Sequence, residues 1–137
     1  MNSAAYESRP QGNRPTVLVV EGEALVRLML AEELRSQGLD VIEASNGDEA
    51  LSVLRSSGLH LLLTDVQMPR GRDGSLLAFL AHTTSPEVKI VTASGQQPGG
   101  HLREIAHAFF LKPYDLTAVA ARVKELMAGL ECDVSRQ

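Results

Sequence analysis

With 137 residues, 44% hydrophobic and 22% charged, the chain is long enough for one well-filled core, short for two, and ordinary enough in composition to exclude wholesale disorder. A formal charge of −4 argues against a surface built to grip nucleic acid. No apolar run approaches the roughly 18 residues of a membrane span, and the polar start lacks a signal core, so the expected setting is cytoplasmic, with neither nucleic acid nor membrane as direct partner. Cys132 is the single cysteine, which leaves no intramolecular disulfide and no cysteine-cluster metal site.

Residues 1–15 are polar and proline-containing without apolar periodicity, the pattern of an N-terminal arm. Thr16-Val17-Leu18-Val19-Val20 is apolar and β-branched on both alternating positions, as in a central strand covered on both faces. It stops at Glu21-Gly22-Glu23. Ala24, Leu25, Leu28, Met29, Ala31 and Leu34 then recur at helical spacing until Gly38, a well-placed C′ glycine. Leu39 to Ala44 predicts a second strand, and its Asp40 and Glu43 place it near a sheet edge. Ser45-Asn46-Gly47 predicts a turn, and Asp48 to Ser57 a second helix with Ala50, Leu51, Val53 and Leu54 inward, closed by Gly58.

Leu59 to Thr64 is a buried-strand run closed by Asp65, and the connection Val66 to Arg72 exceeds the usual βα loop, a length that often carries function. Asp73-Gly74 opens a third helix through His82. Glu87 to Thr92 predicts the fourth strand, followed by a soft Gln96-Gln97-Pro98-Gly99-Gly100 stretch and a short helix from His101 to His107. Ala108 to Leu111 is the fifth strand, stopped by Lys112-Pro113. Asp115 caps a last helix with Leu116, Val119, Ala120, Val123, Leu126 and Met127 on one stripe, and 131–137 reads as a frayed tail.

Strand and helix alternating with short links predict an α/β, doubly wound parallel sheet with right-handed crossovers. The flavodoxin-like (βα)5 order 2-1-3-4-5 suits it best, because the most apolar strands, the first and third, then lie inside. Ligands in such sheets bind beyond the strand C-termini at the switch point. Glu21 and Asp65 would share that crevice, where Asp65 is a nucleophile, a metal ligand or a helix cap.

Four landmarks fall in order at strand ends: Glu21 and Glu23 after the first, Asp65 after the third, Thr92 after the fourth and Lys112-Pro113 after the fifth. With Met68-Pro69 and Asp73-Gly74 in the long loop, the stretch from Thr16 to Leu130 resembles the receiver domain of two-component response regulators. The domain so read is 16–130. The resemblance implies that Asp65 accepts a phosphoryl group from a histidine of a sensor kinase or phosphotransfer protein, making the chain a phosphoacceptor rather than a turnover enzyme. It implies Mg²⁺ held by Glu21, Asp65 and the backbone carbonyl of Gln67, with Lys112 and the Thr92 hydroxyl on phosphoryl oxygens. Such a set is what the chemistry asks for, since a carboxylate attacking an anionic phosphorus needs a hard cation and fixed donors.

By the same resemblance Thr92 and Phe109 form a switch pair, the Lys112-Pro113 peptide is cis, and output passes through a protein contact of the fourth helix, fifth strand and fifth helix. Homodimerisation through that face is permitted by the apolar last helix. Because the ordered fold takes up nearly all of the chain, a stand-alone receiver signalling to a downstream protein is expected.

One position departs from the family. Gly22 stands where a second acidic residue normally ligates the metal, so Mg²⁺ should bind more weakly, and Glu23 is badly directed to replace it. The alternative is an adaptor that has lost phosphorylation. A flavodoxin-like enzyme or nucleotide binder is disfavoured, because no phosphate-cradling glycine loop follows the first strand. His60, His82, His101 and His107 lack ligand spacing, Asp73 reads as a helix cap, and Arg70 and Arg72 as solvated charges beside the acceptor loop.

Overall fold

Strands and helices alternate along the whole of the computed structural model, which describes residues 14–56, 58–67 and 74–136, with side chains through 128. The elements are β1 (Thr16–Val20), α1 (Ala24–Ser36), β2 (Asp40–Ala44), α2 (Gly47–Leu54), β3 (Leu61–Asp65), α3 (Gly74–Thr84), β4 (Lys89–Ser94), α4 (Gly100–Ile105), β5 (Ala108–Leu111) and α5 (Leu116–Arg136). The sheet has 5 strands in the order β2-β1-β3-β4-β5, all parallel, as the sequence pattern predicts. Met68-Pro69, Arg70, Arg72 and the expected helix cap Asp73 lie outside the described residues.

The two faces are covered by different helices. Val17, Val19, Leu61 and Leu63 pack under Leu30, Ala31 and Leu34 of α1 and Val119, Val123 and Met127 of α5. Leu18, Val20, Leu62 and Ile90 pack under Ala50 of α2, Leu77 and Ala81 of α3 and Leu102 of α4. Every residue of β1 and β3 is buried, which explains their unbroken apolar runs. At the far edge β2 keeps its charges paired: Asp40 with Arg14, Glu43 with both Arg27 and Arg35.

Local chemistry fixes the boundaries. Asn46 caps α2 by accepting the Glu49 N–H, Asp115 Oδ1 accepts the Thr117 N–H at the start of α5, and Gly38 (φ 90°) ends α1 in a conformation side chains rarely adopt. Three expectations shift. The stripe Leu25, Leu28, Met29 does not face the sheet; these residues are exposed, because the α1 sequence carries overlapping apolar registers and Leu30, Ala31 and Leu34 take the core. The β4 strand starts at Lys89 and runs on through Ala93 and Ser94, because Asp65 and Phe110 pair with Ala93 and Leu111 with Ser94. Helix α5 continues past Glu131, where the sequence placed a tail, to Arg136.

Candidate functional site

The C-terminal edge of the sheet gathers the candidate residues. β1 and β3 run side by side with Val20 opposite Thr64, so Glu21 and Asp65 leave neighbouring strands together. Both are buried, at 3% and 6% exposure. Lys112, beyond β5, reaches across β4: its Nζ donates to Asp65 Oδ2 at 3.0 Å and to Glu21 Oε1 at 3.4 Å. The Lys112 N–H donates to the Ser94 carbonyl at 2.8 Å, which sets where the side chain begins, and the Lys112-Pro113 peptide is cis.

Two nearly buried carboxylates around one ammonium set the electrostatics. Burial pulls the Lys112 pKa down, but the hydrogen bond and charge of Asp65, then the charge of Glu21, outweigh it and hold the group above its ordinary value. The neighbouring Tyr114 phenol is pushed up to about 12, first by burial and then by the negative charge of Glu21.

Thr92 is buried in β4, opposite Thr64 on one side and Phe109 on the other. Thr92 and Phe109 line a cleft of about 400 Å³ between α3 and α4, together with Gln67, Phe79, Ser94 and His101. Gln67 is exposed at its mouth, with its side-chain oxygen beside Gly95. The Gly74 N–H donates to the Val66 carbonyl at 2.9 Å.

The donor set suits a hard cation. Mg²⁺ takes one or two carboxylates and completes its shell with water and substrate oxygens, and Glu21 and Asp65 supply carboxylates close enough to share one ammonium. Gly22 is exposed and offers no side-chain oxygen; Glu23 is exposed as well, and it is its backbone N–H that touches Glu21, donating to Oε2 at 3.1 Å. Among the described residues no group of 3 or more His, Cys, Asp or Glu is gathered for a metal.

A response regulator receiver domain model matches residues 17–124. The chain belongs to that family. This receiver domain is 33% identical over 124 residues to the transcriptional regulatory protein PdtaR of Mycobacterium tuberculosis, covering 88% of the chain and 57% of that protein. It is 34% identical over 118 residues to the sensor kinase CckA of Brucella abortus, covering 82% of the chain and 12% of the kinase. The chain thus spans only part of these curated relatives.

Among solved structures, a receiver domain protein from Methanospirillum hungatei superposes with a TM-score of 0.77 at 22% identity, covering 88% of this chain and 98% of that one. The response regulator TrrA of Thermotoga maritima, in complex with Mg(2+)-BeF, superposes with a TM-score of 0.73 at 26% identity, covering 82% and 98%. Among the described residues no helix of the receiver domain is long and apolar enough to cross a membrane.

Some residues that shape the site escape a reading by motif. Arg27 donates to the Glu21 carbonyl at 2.8 Å, and Gly74 lies against the backbone of Asp65 itself. Only the helix-start position of Gly74 and the opposite charges of Arg27 and Glu43 were visible, and neither specifies a contact. His60 and His107 accept strand N–H groups through Nδ1, at 3.0 Å each.

Proposed function

We propose that Asp65 accepts a phosphoryl group from the histidine of a sensor kinase or phosphotransfer protein, and that the receiver then signals through a protein contact. The observation that carries this is Lys112, whose ammonium sits on both Asp65 and Glu21 at the open strand edge. An Asp65 carboxylate oxygen attacks phosphorus, the phosphorus–nitrogen bond of the donor breaks, and the electron pair stays on the imidazole nitrogen. Lys112 follows the charge onto a phosphoryl oxygen, and the Thr92 hydroxyl donates to another.

A magnesium ion held by Glu21, Asp65 and the Gln67 carbonyl would neutralise phosphoryl charge during approach. With Gly22 in place of a carboxylate, that ion binds more weakly than a full acidic set would hold it. Exposed Leu25, Leu28 and Met29 on α1, beside a groove lined by Met29, Lys112 and Tyr114, offer apolar surface on which a protein donor can seat. On the output side, Phe109 and exposed Leu111 on β5 lie where a change at Thr92 would be felt.

The test is incubation with acetyl phosphate and Mg²⁺, read by intact mass. Gain of one phosphoryl group, lost in Asp65→Asn, supports the regulator. No gain at saturating Mg²⁺ supports the second reading, a phosphorylation-impaired adaptor, which the lone pair of acidic side chains favours. Gly22→Asp should tighten Mg²⁺ binding; unchanged affinity removes the special role of position 22.

A further inference from the structure

The Glu21 carboxylate can serve the pocket only if its peptide is fixed, and the residue after it supplies nothing to fix it with. Gly22 is exposed, and glycine leaves the adjoining backbone free to turn. β1 pairing has already ended at Val20. On the strand side the Glu21 N–H still donates to the Ala44 carbonyl at 3.1 Å. On the other side the Glu21 carbonyl accepts from Arg27 Nη1 at 2.8 Å.

Arg27 is itself held. Its Nε lies 3.4 Å from Glu43 Oε1 in an ion pair of low exposure, 20% for Arg27 and 13% for Glu43. Glu43 Oε2 receives Arg35 Nη2 at 3.2 Å, so the carboxylate is anchored by a second arginine that also holds the Val41 carbonyl at 3.1 Å. A guanidinium holds its acceptors from separate nitrogens of one rigid planar fork, whereas an ammonium is a single point charge on a flexible stem. The chain of contacts therefore runs from β2, through Glu43 and Arg27, to the peptide that aims Glu21 at Lys112 and Asp65.

We propose that Arg27, braced by Glu43, is a positioning residue for the acidic pocket: it fixes the Glu21–Gly22 peptide and thereby sets the affinity of the pocket for a divalent cation. The inference rests on the reading that this pocket binds such a cation. Arg27 contacts the Glu21 carbonyl and the Glu43 carboxylate, and acts on the pocket through the backbone of Glu21. Second-layer partners of metal ligands commonly change affinity by 10- to 100-fold, the scale expected here.

The experiment titrates the full chain with Mg²⁺ by calorimetry and by the backbone amide resonance of Gly22, in wild type, Arg27→Met, Arg27→Lys and Glu43→Gln, with thermal melts of the metal-free proteins alongside. Arg27→Met keeps the aliphatic stem and loses the fork. It should weaken Mg²⁺ binding by about tenfold and displace the metal-free Gly22 resonance. Glu43→Gln should do the same to a lesser degree, and Arg27→Lys, expected to fold in any case, should recover only part of the affinity.

Wild-type binding that Arg27→Met, or Arg27→Lys if the methionine variant does not fold, leaves unchanged would overturn the role of Arg27 while sparing the metal reading. A wild type that binds no Mg²⁺ overturns both. Weakening in proportion to lost thermal stability, with Gly22 undisplaced, would reduce Arg27 to a fold-stabilising residue and also overturns the proposal.

Discussion

Lys112 Nζ lies 3.0 Å from Asp65 Oδ2, a contact made between residues 47 positions apart in the chain, and the same nitrogen is shared with Glu21. One ammonium thus holds together two nearly buried carboxylates that would otherwise repel. Lys112→Met should cost on the order of 1–2 kcal/mol in metal-free protein, a charged hydrogen bond discounted for the partial exposure of the lysine. Added Mg²⁺ should restore part of it. Urea unfolding with and without Mg²⁺ measures both, and a variant as stable as wild type in chelator would show that the pair contributes nothing to the fold.

The same cluster dictates an alkaline limb. Lys112 is held above its ordinary 10.5 in the folded protein, so its contribution is complete below 10.5 and is lost as pH rises through the raised value. Tyr114 adds to this, because the unfolded phenol ionises near 10 and the folded one at about 12; the folded state keeps the proton and loses stability across that window. Melts between those values should fall with pH in wild type and fall less steeply in Tyr114→Phe.

Gly74 permits a close approach that no other residue allows. A Cβ built there would lie 1.9 Å from the Asp65 carbonyl oxygen and 2.8 Å from both the Asp65 carbonyl carbon and the Val66 Cα, all backbone atoms. Gly74→Ala must therefore push α3 away from the acceptor strand, at about 1–3 kcal/mol, the usual range for overpacking. Phosphorylation by acetyl phosphate should slow as well, since the displaced atoms belong to Asp65. Unchanged stability in urea would mean that the loop gives way freely.

His107 sets an acid limb at the opposite edge. Its ring Nδ1 accepts the Ile90 N–H at 3.0 Å, and the His107 backbone N–H donates to the Ile90 carbonyl at 2.7 Å, so the residue extends the pairing of β5 with β4. Partial burial, then the charge of Lys89, lowers its pKa from 6.5. The folded state takes up the proton less readily than the unfolded one, so stability is complete above 6.5 and declines as pH falls below it. The Ile90 amide should lose hydrogen-exchange protection, measured relative to its intrinsic rate, in that range. His107→Asn, which keeps an acceptor and does not titrate, should flatten the response.

How far the sequence foretold all this follows from the range of each interaction. Strand order and the landmarks were legible because buried parallel strands write unbroken apolar runs, and because Glu21, Asp65, Thr92 and Lys112 stand next to those runs. What was not legible needed two distant segments at once. Leu25, Leu28 and Met29 have helical spacing as good as that of Leu30, Ala31 and Leu34, and only the packed sheet decides between the registers. Arg27 and Glu43 are ordinary surface charges until α1 is docked beside β2. Even Gly74, visible as a helix start, gave no sign that Asp65 lay against it.

Phe109 supplies the remaining expectation, a movement. It pairs in register with Thr92 and lines the same cleft of about 400 Å³, more than twice the roughly 150 Å³ that suffices to hold a benzene ring. If Thr92 is drawn toward a phosphoryl oxygen it leaves space on the β5 side, and burying the partly exposed Phe109 ring there is favourable by the apolar area removed from water. The chain contains no tryptophan, so Phe109→Trp provides a single indole at the position of interest. Beryllofluoride with Mg²⁺, mimicking the phosphoryl group on Asp65, should shift its emission to the blue and slow quenching by iodide. Adding Thr92→Val, which keeps the shape and removes the hydroxyl, should abolish the shift while beryllofluoride still binds. An indole whose emission is indifferent to beryllofluoride, in protein shown to bind it, would separate Phe109 from the switch and leave Thr92 to act alone.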